Sequence, residues 1–331
     1  MGKTLFRVGI NTAIGAVLIY FWLKIVNIEE ILHALSDFNP ILLIPAILLM
    51  VSATVFKAIR FRILLSEVVK IPYLKIINLT FLSQLLSFTI PIRLGELTKG
   101  VYLSTEYSLH FGKAVVWVFL DRFLDFWAVL GLSLALLLIV PTNLPSNITT
   151  TLFVGVFVAS IMVVLIVWKP DLFKKLAEVF SHLLVIKVLK EKFLKLAFFL
   201  IDCFALLKGE GKRNIVIFVL TVLGTLMEGL SWFVVLTAFM PDLSILQVWL
   251  GSMLNSLSFI IPAAPGYVGS AEAAGLAVFS YGLGLDKTFV SAATIVIHAL
   301  SLVFILGTGI YGLYSLKFNL GLVWKKVLRK D

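Results

Sequence analysis

The chain has 331 residues, of which 60% are hydrophobic and only 14% are charged. A soluble protein exposes too much surface to water for this composition, so soluble enzymes and binding proteins are excluded as a class. The single cysteine, Cys203, excludes an intramolecular disulfide framework. A net charge of +10 would suggest nucleic acid in a soluble protein. Here the basic residues flank apolar runs, so the expected partners are membrane lipids with anionic head groups and no nucleic acid.

Apolar runs and their breakers predict an all-α, polytopic integral membrane protein with about six full spans and two re-entrant helical hairpins. In chain order, the predicted spans are 8–26, 41–63, 112–140, 150–168, 214–238 and 288–315. Two broken apolar arms, 73–91 and 243–262, are each followed by a short helix, at 94–104 and 270–281. The remaining predicted elements are an amphipathic piece at 28–38 and a basic amphipathic stretch at 170–210.

These elements predict a single membrane domain over 1–331. Its predicted parts are an N-terminal anchor span with an amphipathic piece (8–39), a first repeat (41–140), a linking span with a cytoplasmic amphipathic helix (150–210), a second repeat (214–315) and a basic cytoplasmic tail (316–331). The first span is expected to be a retained anchor, because it is long and lacks a signal-peptide cleavage pattern.

The two broken arms share a motif. Ser87-Phe88-Thr89-Ile90-Pro91 returns 171 residues later as Ser258-Phe259-Ile260-Ile261-Pro262, and the same offset relates Lys57 to Glu228. Hydrophobic segments interrupted at corresponding places in two halves point to the binding site of a transporter. Chance is the alternative, because the dipeptide Ile-Pro is common in membrane proteins.

Charge counting assigns opposite polarity to the two halves. With a cytoplasmic N-terminus, and with each arm returning to its own side, the basic residues near the membrane become cytoplasmic except Lys24 and Lys287. This assignment predicts an inverted repeat in the cytoplasmic (inner) membrane, with both termini in the cytoplasm.

Charged residues within apolar runs are the candidate site. A charge at a helix centre costs about 2.5–3.5 kcal/mol on insertion scales, so these residues should face the interior and pair. We expect Arg122 to pair with Glu96 or Glu272. We expect Lys57 to pair with Asp121 or Asp125. The predicted substrate-binding residues are Arg93, Glu96, Asp121, Arg122, Asp125, Pro262, Gly266, Gly269 and Glu272, and those predicted for ion or proton coupling are Lys57, Glu228 and His298.

Other interpretations of these residues stay open. Arg60 and Arg62 are interpreted as snorkelling to the cytoplasmic interface, and Lys57 either does the same or faces inward. Arg122 with its neighbouring aspartates could be a purely structural ionic cluster, and Glu96 could cap its own helix. The short helices after the breaks are expected to present free N–H groups to a lipid phosphate. Residues 171–195 are either a helix on an anionic leaflet or a connector.

Catalytic and metal motifs are missing from the sequence. Its four histidines are scattered without a His-x-x-Glu-His pattern, and no Gly-x-Ser-x-Gly or Walker-type Gly-Lys-Ser/Thr occurs. We therefore expect no metal site, no cofactor and no ATP hydrolysis within this chain.

Three segments together resemble the hallmarks of the lysylphosphatidylglycerol synthase transmembrane-region family, also called flippase-like domains. They are Arg93-Leu94-Gly95-Glu96, Asp121-Arg122-Phe123-Leu124-Asp125 and Pro262 to Glu272, and the likeness extends over about 8–315. The resemblance implies a role in moving or handling lipids. In two-part members this membrane domain is thought to translocate aminoacylated phosphatidylglycerol, which a separate cytosolic domain makes. No such domain follows the last predicted span, so lipid aminoacylation is not expected here.

The chain departs from the family pattern at three places. The family often has Gly where this chain has Tyr267, a basic residue where it has Ala271, and Arg near His298. These departures favour a head group other than lysylphosphatidylglycerol.

The leading hypothesis is a lipid transporter or flippase. The alternatives are a membrane enzyme that uses Glu96 and Glu272 as acid and base, or a non-catalytic partner of a separately encoded lipid-modifying synthase or glycosyltransferase. The sequence leaves open whether the protein forms a homo-oligomer.

Overall fold

The computed structural model describes residues 2–89, 95–143, 145–182, 186–208, 211–258, 264–319 and 321. Among these residues the regular structure is helical, with no strand. The α-helices are α1 (Gly2–Ile25), α2 (Ile28–Ser36), α3 (Leu43–Leu65), α4 (Tyr73–Thr89), α5 (Leu97–Glu106), α6 (Phe111–Leu137), α7 (Ser146–Trp168), α8 (Pro170–Ser181), α9 (Lys187–Ala205), α10 (Gly211–Phe239), α11 (Ile245–Ser258), α12 (Ser270–Gly275) and α13 (Lys287–Leu316). The fold class is therefore the predicted one, all-α.

Capping residues and prolines set several helix boundaries. The Asn27 side chain accepts a hydrogen bond from the Glu29 amide at the start of α2, and Asp286 caps α13 in the same way. Pro170, whose missing N–H costs nothing at a first helical position, opens α8. The stretch predicted as one surface helix over 171–195 is divided, since α8 ends at Ser181 and α9 begins at Lys187.

Among the described residues, four helices are long and apolar enough to cross a membrane, against the expected six: Pro40–Leu65, Thr149–Trp168, Gly211–Phe239 and Lys287–Leu316. Residues Thr12–Ile25 of α1 form a pair with α2 that is bent by 85°, and this pair would be a fifth span if it were counted as one. Helix α6 has 27 residues but does not qualify. Three of its four charged residues, Asp121, Arg122 and Asp125, lie near its centre, so any stretch of this helix long enough to span a membrane contains all three.

Helices α3 and α10 pack against each other in antiparallel orientation at the centre of the molecule. At one end Phe38, just before α3, stacks on Phe239 at the end of α10, with 5.4 Å between ring centroids. At the other end Arg213 near the start of α10 binds Glu67 just after α3. Equivalent helices of the two predicted halves therefore run in opposite directions.

Several other contacts between helices of the two predicted halves occur in matching pairs. Helix α4 packs on α13 as α11 packs on α6, and α5 packs on α6 as α12 packs on α13. Helix α3 contacts α4 as α10 contacts α11. Every helix–helix contact named here thus has a counterpart in which first-half and second-half helices exchange places.

Two hydrophobic clusters mark opposite ends of the bundle. One contains Ile31, Val140 and Leu283, and the other contains Leu65, Ile71 and Tyr102. The segments that flank α4 and α5 belong to the second cluster, whereas those that flank α11 and α12 belong to the first. Each broken arm therefore enters from one end of the bundle and its following helix returns to that end.

Candidate functional site

Six charged side chains from three helices meet in the bundle, and we call them the ion cluster: Arg60, Glu96, Lys99, Asp121, Arg122 and Asp125. Helix α6 supplies the last three, because positions 121, 122 and 125 lie within about one helical turn. Helix α3 supplies Arg60. Glu96 and Lys99 lie at the start of α5, immediately after the first break.

Asp121 is the centre of the cluster and is fully buried. It accepts hydrogen bonds from Arg60 (Nε to Oδ1, 3.1 Å), from Lys99 (Nζ to Oδ2, 3.2 Å) and from Arg122 (Nη2 to Oδ2, 2.8 Å). Arg60 is equally buried and also donates to Asp125. These contacts satisfy charges that would otherwise be very costly away from water.

Exposure increases across the cluster from Arg60 towards Arg122. The side chains of Arg60 and Lys99 are 0% and 1% exposed, whereas that of Arg122 is 35% exposed. Arg122 lies 3.6 Å from Glu96 (Nε to Oε2) and 3.0 Å from Asp125 (Nη2 to Oδ2). Arg60 and Lys99 are therefore enclosed, and Arg122 is the most exposed cation of the cluster.

Lys57 and Glu228 form a second ion pair, where α3 and α10 cross. Lys57 Nζ donates to Glu228 Oε1 at 2.5 Å, and the lysine stem packs beside Gly224. Lys57 also attracts Asp125 electrostatically. The two positions are 171 residues apart, the same offset that relates Ser87 to Ser258.

The second break carries a different constellation. Glu272 at the start of α12 accepts a hydrogen bond from the Gly269 amide (Oε2, 2.8 Å) and lies 2.6 Å from His298 of α13 (Oε1 to Nδ1). The other ring nitrogen, Nε2, is 2.7 Å from the carbonyl oxygen of Gly266. Glu272 thus takes the N–H group that was expected to bind an anion at this helix start.

The turn before α12 depends on glycine. Gly266 and Gly269 have φ values of 73° and 83°, and Tyr267 between them has 58°. The turn, as far as it is described, is non-helical, as Pro-Ala-Ala-Pro-Gly-Tyr-Val-Gly predicts. Helix α1 crosses so closely that a Cβ on Gly269 would collide with the carbonyl oxygen of Gly15.

Gly269→Ala should therefore destabilise the protein by about 1–3 kcal/mol, because the added methyl meets backbone and the φ is unfavourable. Thermal unfolding in detergent would measure this loss. Gly131→Ala, at a position with no atom within 4 Å of the new Cβ, is the control and should be neutral or slightly stabilising. Equal unfolding temperatures for the two variants would contradict the close approach of α1.

Phe88, the last but one residue of α4, lies beside the second turn. Phe88, at the end of the first arm, has its ring centroid 5.9 Å from that of Tyr267 and 6.5 Å from that of His298. The end of the first arm therefore packs against the second turn and α13.

The predicted site residues fall into three groups. The ion cluster contains Glu96, Asp121, Arg122 and Asp125; the second turn contains Gly266, Gly269, Glu272 and His298; and Lys57 binds Glu228. Arg93 and Pro262, like Pro91, lie outside the described residues.

Several expected pairings change in the structure. Of its two expected partners, Arg122 contacts Glu96. The prediction for Lys57 was wrong, because it donates to Glu228 and not to either aspartate. Snorkelling of Arg60 was also wrong, since Asp121 and Asp125 hold it inside. Lys99 was missed altogether. Glu96 precedes α5, but its side chain binds Lys99 and makes no cap.

Comparison with known families gives one result for nearly the whole chain. The family model described as the lysylphosphatidylglycerol synthase TM region matches residues 8–309. A search of curated proteins found no match.

Proposed function

Because the chain belongs to the lysylphosphatidylglycerol synthase transmembrane-region family, we propose that it moves a phospholipid or a lipid-linked head group across the cytoplasmic membrane. Family membership itself supports a membrane-embedded domain with a lipid-related role. Transport is the function that the geometry of this chain supports best.

One observation carries the proposal: the ion cluster lies within the bundle, with Glu96 and Lys99 at the start of the helix that follows the first broken arm, and Arg122 is its most exposed cation. Irregular backbone at membrane depth is tolerated only where protein or a watery cavity surrounds it. In the proposal, the guanidinium of Arg122 binds the head-group phosphate, as arginine forks do. Glu96 and Asp125 orient that guanidinium or receive a cationic part of the head group.

We further propose that the two halves form an inverted repeat of re-entrant hairpins. The antiparallel α3 and α10 support this, and so do the paired contacts in which first-half and second-half helices exchange places. If the two halves exchange conformations during transport, the α3–α10 contact is unchanged by the exchange, because each helix takes the place of the other. The two halves can then pivot about this contact. The contacts of α4 with α13 and of α6 with α11 then alternate.

The same proposal places both termini in the cytoplasm. The bundle end that contains Ile31 and Leu283 carries Lys24 and Lys287 as its flanking basic residues. The opposite end carries Arg62, Arg213 and Lys317 next to Leu65 and Phe318, together with the lysines of α8 and α9. By the positive-inside rule the second end is cytoplasmic.

The proposed activity is non-enzymatic and needs no cofactor. Glu96 is ion-paired to Lys99 and Arg122, and Glu272 is hydrogen-bonded to His298 and Gly269. These contacts favour positioning roles over acid–base chemistry. A separately encoded lipid-modifying enzyme would then act on the lipid before or after it moves.

Reconstitution in liposomes tests the proposal. Vesicles would each contain one labelled phospholipid with an anionic, zwitterionic or cationic head group, and transbilayer movement of the label would be followed. We expect movement of at least one class, slowed at least tenfold by Arg122→Ala, about the loss of one charge-assisted hydrogen bond. Lys174→Ala, which removes a partly exposed lysine on α8 paired with the exposed Asp202 on α9, should move lipid like wild type. Equal rates for Arg122→Ala and wild type with every lipid would refute the site.

A further inference from the structure

Each break is followed by a contact between a glutamate and a cationic residue, with arginine in the first half and histidine in the second. Glu96 and Glu272 are 176 residues apart, and so are Arg122 and His298. In each half a glutamate at the start of the short helix reaches a cationic residue on the next long helix: Glu96 to Arg122, and Glu272 to His298. The offset exceeds 171 by five, which corresponds to extra residues in the second turn. Arginine stays charged at all working pH values, whereas histidine titrates.

The hydrogen bonds of His298 fix how many protons the pair holds. The Gly266 carbonyl can only accept, so Nε2 must donate to it. Nδ1 faces a carboxylate oxygen of Glu272 at 2.6 Å, a distance that requires a proton between the two atoms. Whether that proton resides on nitrogen or on oxygen, the pair holds one proton more than a neutral histidine beside a carboxylate.

Loss of that proton would remove a hydrogen bond that holds the second turn to α12 and α13. With the proton, His298 links α13 to Gly266 in the turn and to Glu272 on α12. Without it, the Nδ1 lone pair would face the carboxylate, and one of the two bonds would be lost. Arg122 stays charged over the pH range in which histidine titrates, so its ion pair with Glu96 has no corresponding switch.

We propose that Glu272 and His298 form the proton site that couples transport in this protein, with the second turn closed when the proton is bound and released when it leaves. This inference rests on the proposed transport function and names its coupling ion.

Among the described residues, Glu272 is the charged side chain that contacts His298. Helix α4 presents the Phe88 ring, and the turn presents Tyr267 beside that ring. On α3 and α10, Lys57 and Glu228 bind each other. From α2, Glu30 binds Thr288, which lies nearly three helical turns from His298 on α13.

Hydrogen–deuterium exchange of the full-length protein in detergent tests this hydrogen bond without any transport measurement. Peptides covering 264–272 would be compared between wild type, His298→Arg and His298→Gln at matched pH values from about 5 to about 9. Exchange of the wild-type turn should approach that of His298→Arg at low pH. It should become roughly tenfold to hundredfold faster than in His298→Arg at high pH, while His298→Gln is fast throughout.

The first half supplies the internal control. Peptides covering 95–103, tied through Arg122, should show no such pH-dependent difference in wild type. Arg122→His should create one there, and this variant serves if His298→Arg does not fold. Constant protection of 264–272 in wild type across the pH range, with His298→Gln fast, would overturn the proton site.

A pH jump across liposomes separates the two proposals. If one proton moves with each lipid, a gradient of one pH unit shifts the steady distribution of labelled lipid by up to about tenfold in wild type and not in His298→Arg. Lipid movement that ignores the gradient, together with pH-independent exchange, would refute the coupling and leave the transport function standing. A pH-dependent turn without lipid movement would refute transport and leave the proton site standing.

Discussion

Asp121→Asn should lower the free energy of unfolding by about 3–5 kcal/mol, because it removes one charge from a buried, mutually compensated set. Asp121 is fully buried and contacts all three cations of the ion cluster. In the variant, Arg60, Lys99 and Arg122 would share two carboxylates, and one buried positive charge would lose its counterion. The size of asparagine matches that of aspartate, so the loss would report charge and not a cavity.

Chemical or thermal unfolding in a mild detergent would measure this difference. Asp202→Asn is the matched control, because Asp202 is 58% exposed and pairs with Lys174 outside the apolar spans. Exposed pairs of this kind contribute about 0–1 kcal/mol. If the two variants unfold alike, the burial of the ion cluster described above is wrong.

Lys57→Glu should cost about 2–5 kcal/mol, because it places a second carboxylate against Glu228 in a partly buried contact. The substitution also repels Asp125, which the lysine attracts. Glu228→Lys in the same chain should recover part of this loss, with a coupling energy of about 1–3 kcal/mol in a double-mutant cycle. Recovery is partial because the repulsion from Asp125 remains.

The matched control for this cycle is Glu67→Lys at the exposed end of the same helix pair. Glu67 is 59% exposed and its partner Arg213 is 11% exposed, so its reversal should cost less than the reversal of Lys57. Zero coupling between positions 57 and 228 would show that the pair does not hold α3 to α10, and the pivot proposed there would lose its support.

The helix layout could be predicted from the sequence because it depends on local signals. Apolar runs, prolines and caps lie next to the helices that they define, so α3, α10 and α13 begin and end within a few residues of the predicted spans. The division between α8 and α9 was not predicted, since their amphipathic pattern continues across it. The composition criterion gives four or five spans among the described residues, because α6 has the length of a span but carries three charges at its centre.

The site was predicted only in part, because pairing depends on tertiary packing. The 171-residue offset identified Lys57 and Glu228 as equivalent positions, but equivalence does not imply contact. They meet because α3 and α10 cross there in antiparallel orientation. Arg60 resembled an interfacial arginine because Arg62 follows it near the end of a predicted span.

Lys99 gave no periodic signal within its short helix. Charge balance could have found both missing cations. Asp121, Asp125 and Glu96 need more than Arg122 as a counterion when they are buried together, and Arg60 and Lys99 are the cations in the adjoining segments.

The most direct test of the account follows one labelled phospholipid in vesicles that contain the purified protein. The label is placed only in the inner leaflet, its access to a membrane-impermeant reagent is timed, and the lipid is then recovered for mass spectrometry. The account predicts that the label reaches the outer leaflet faster than in protein-free vesicles and that its mass is unchanged. Label that stays inside for every head group tested, or that emerges only after covalent change, would contradict it.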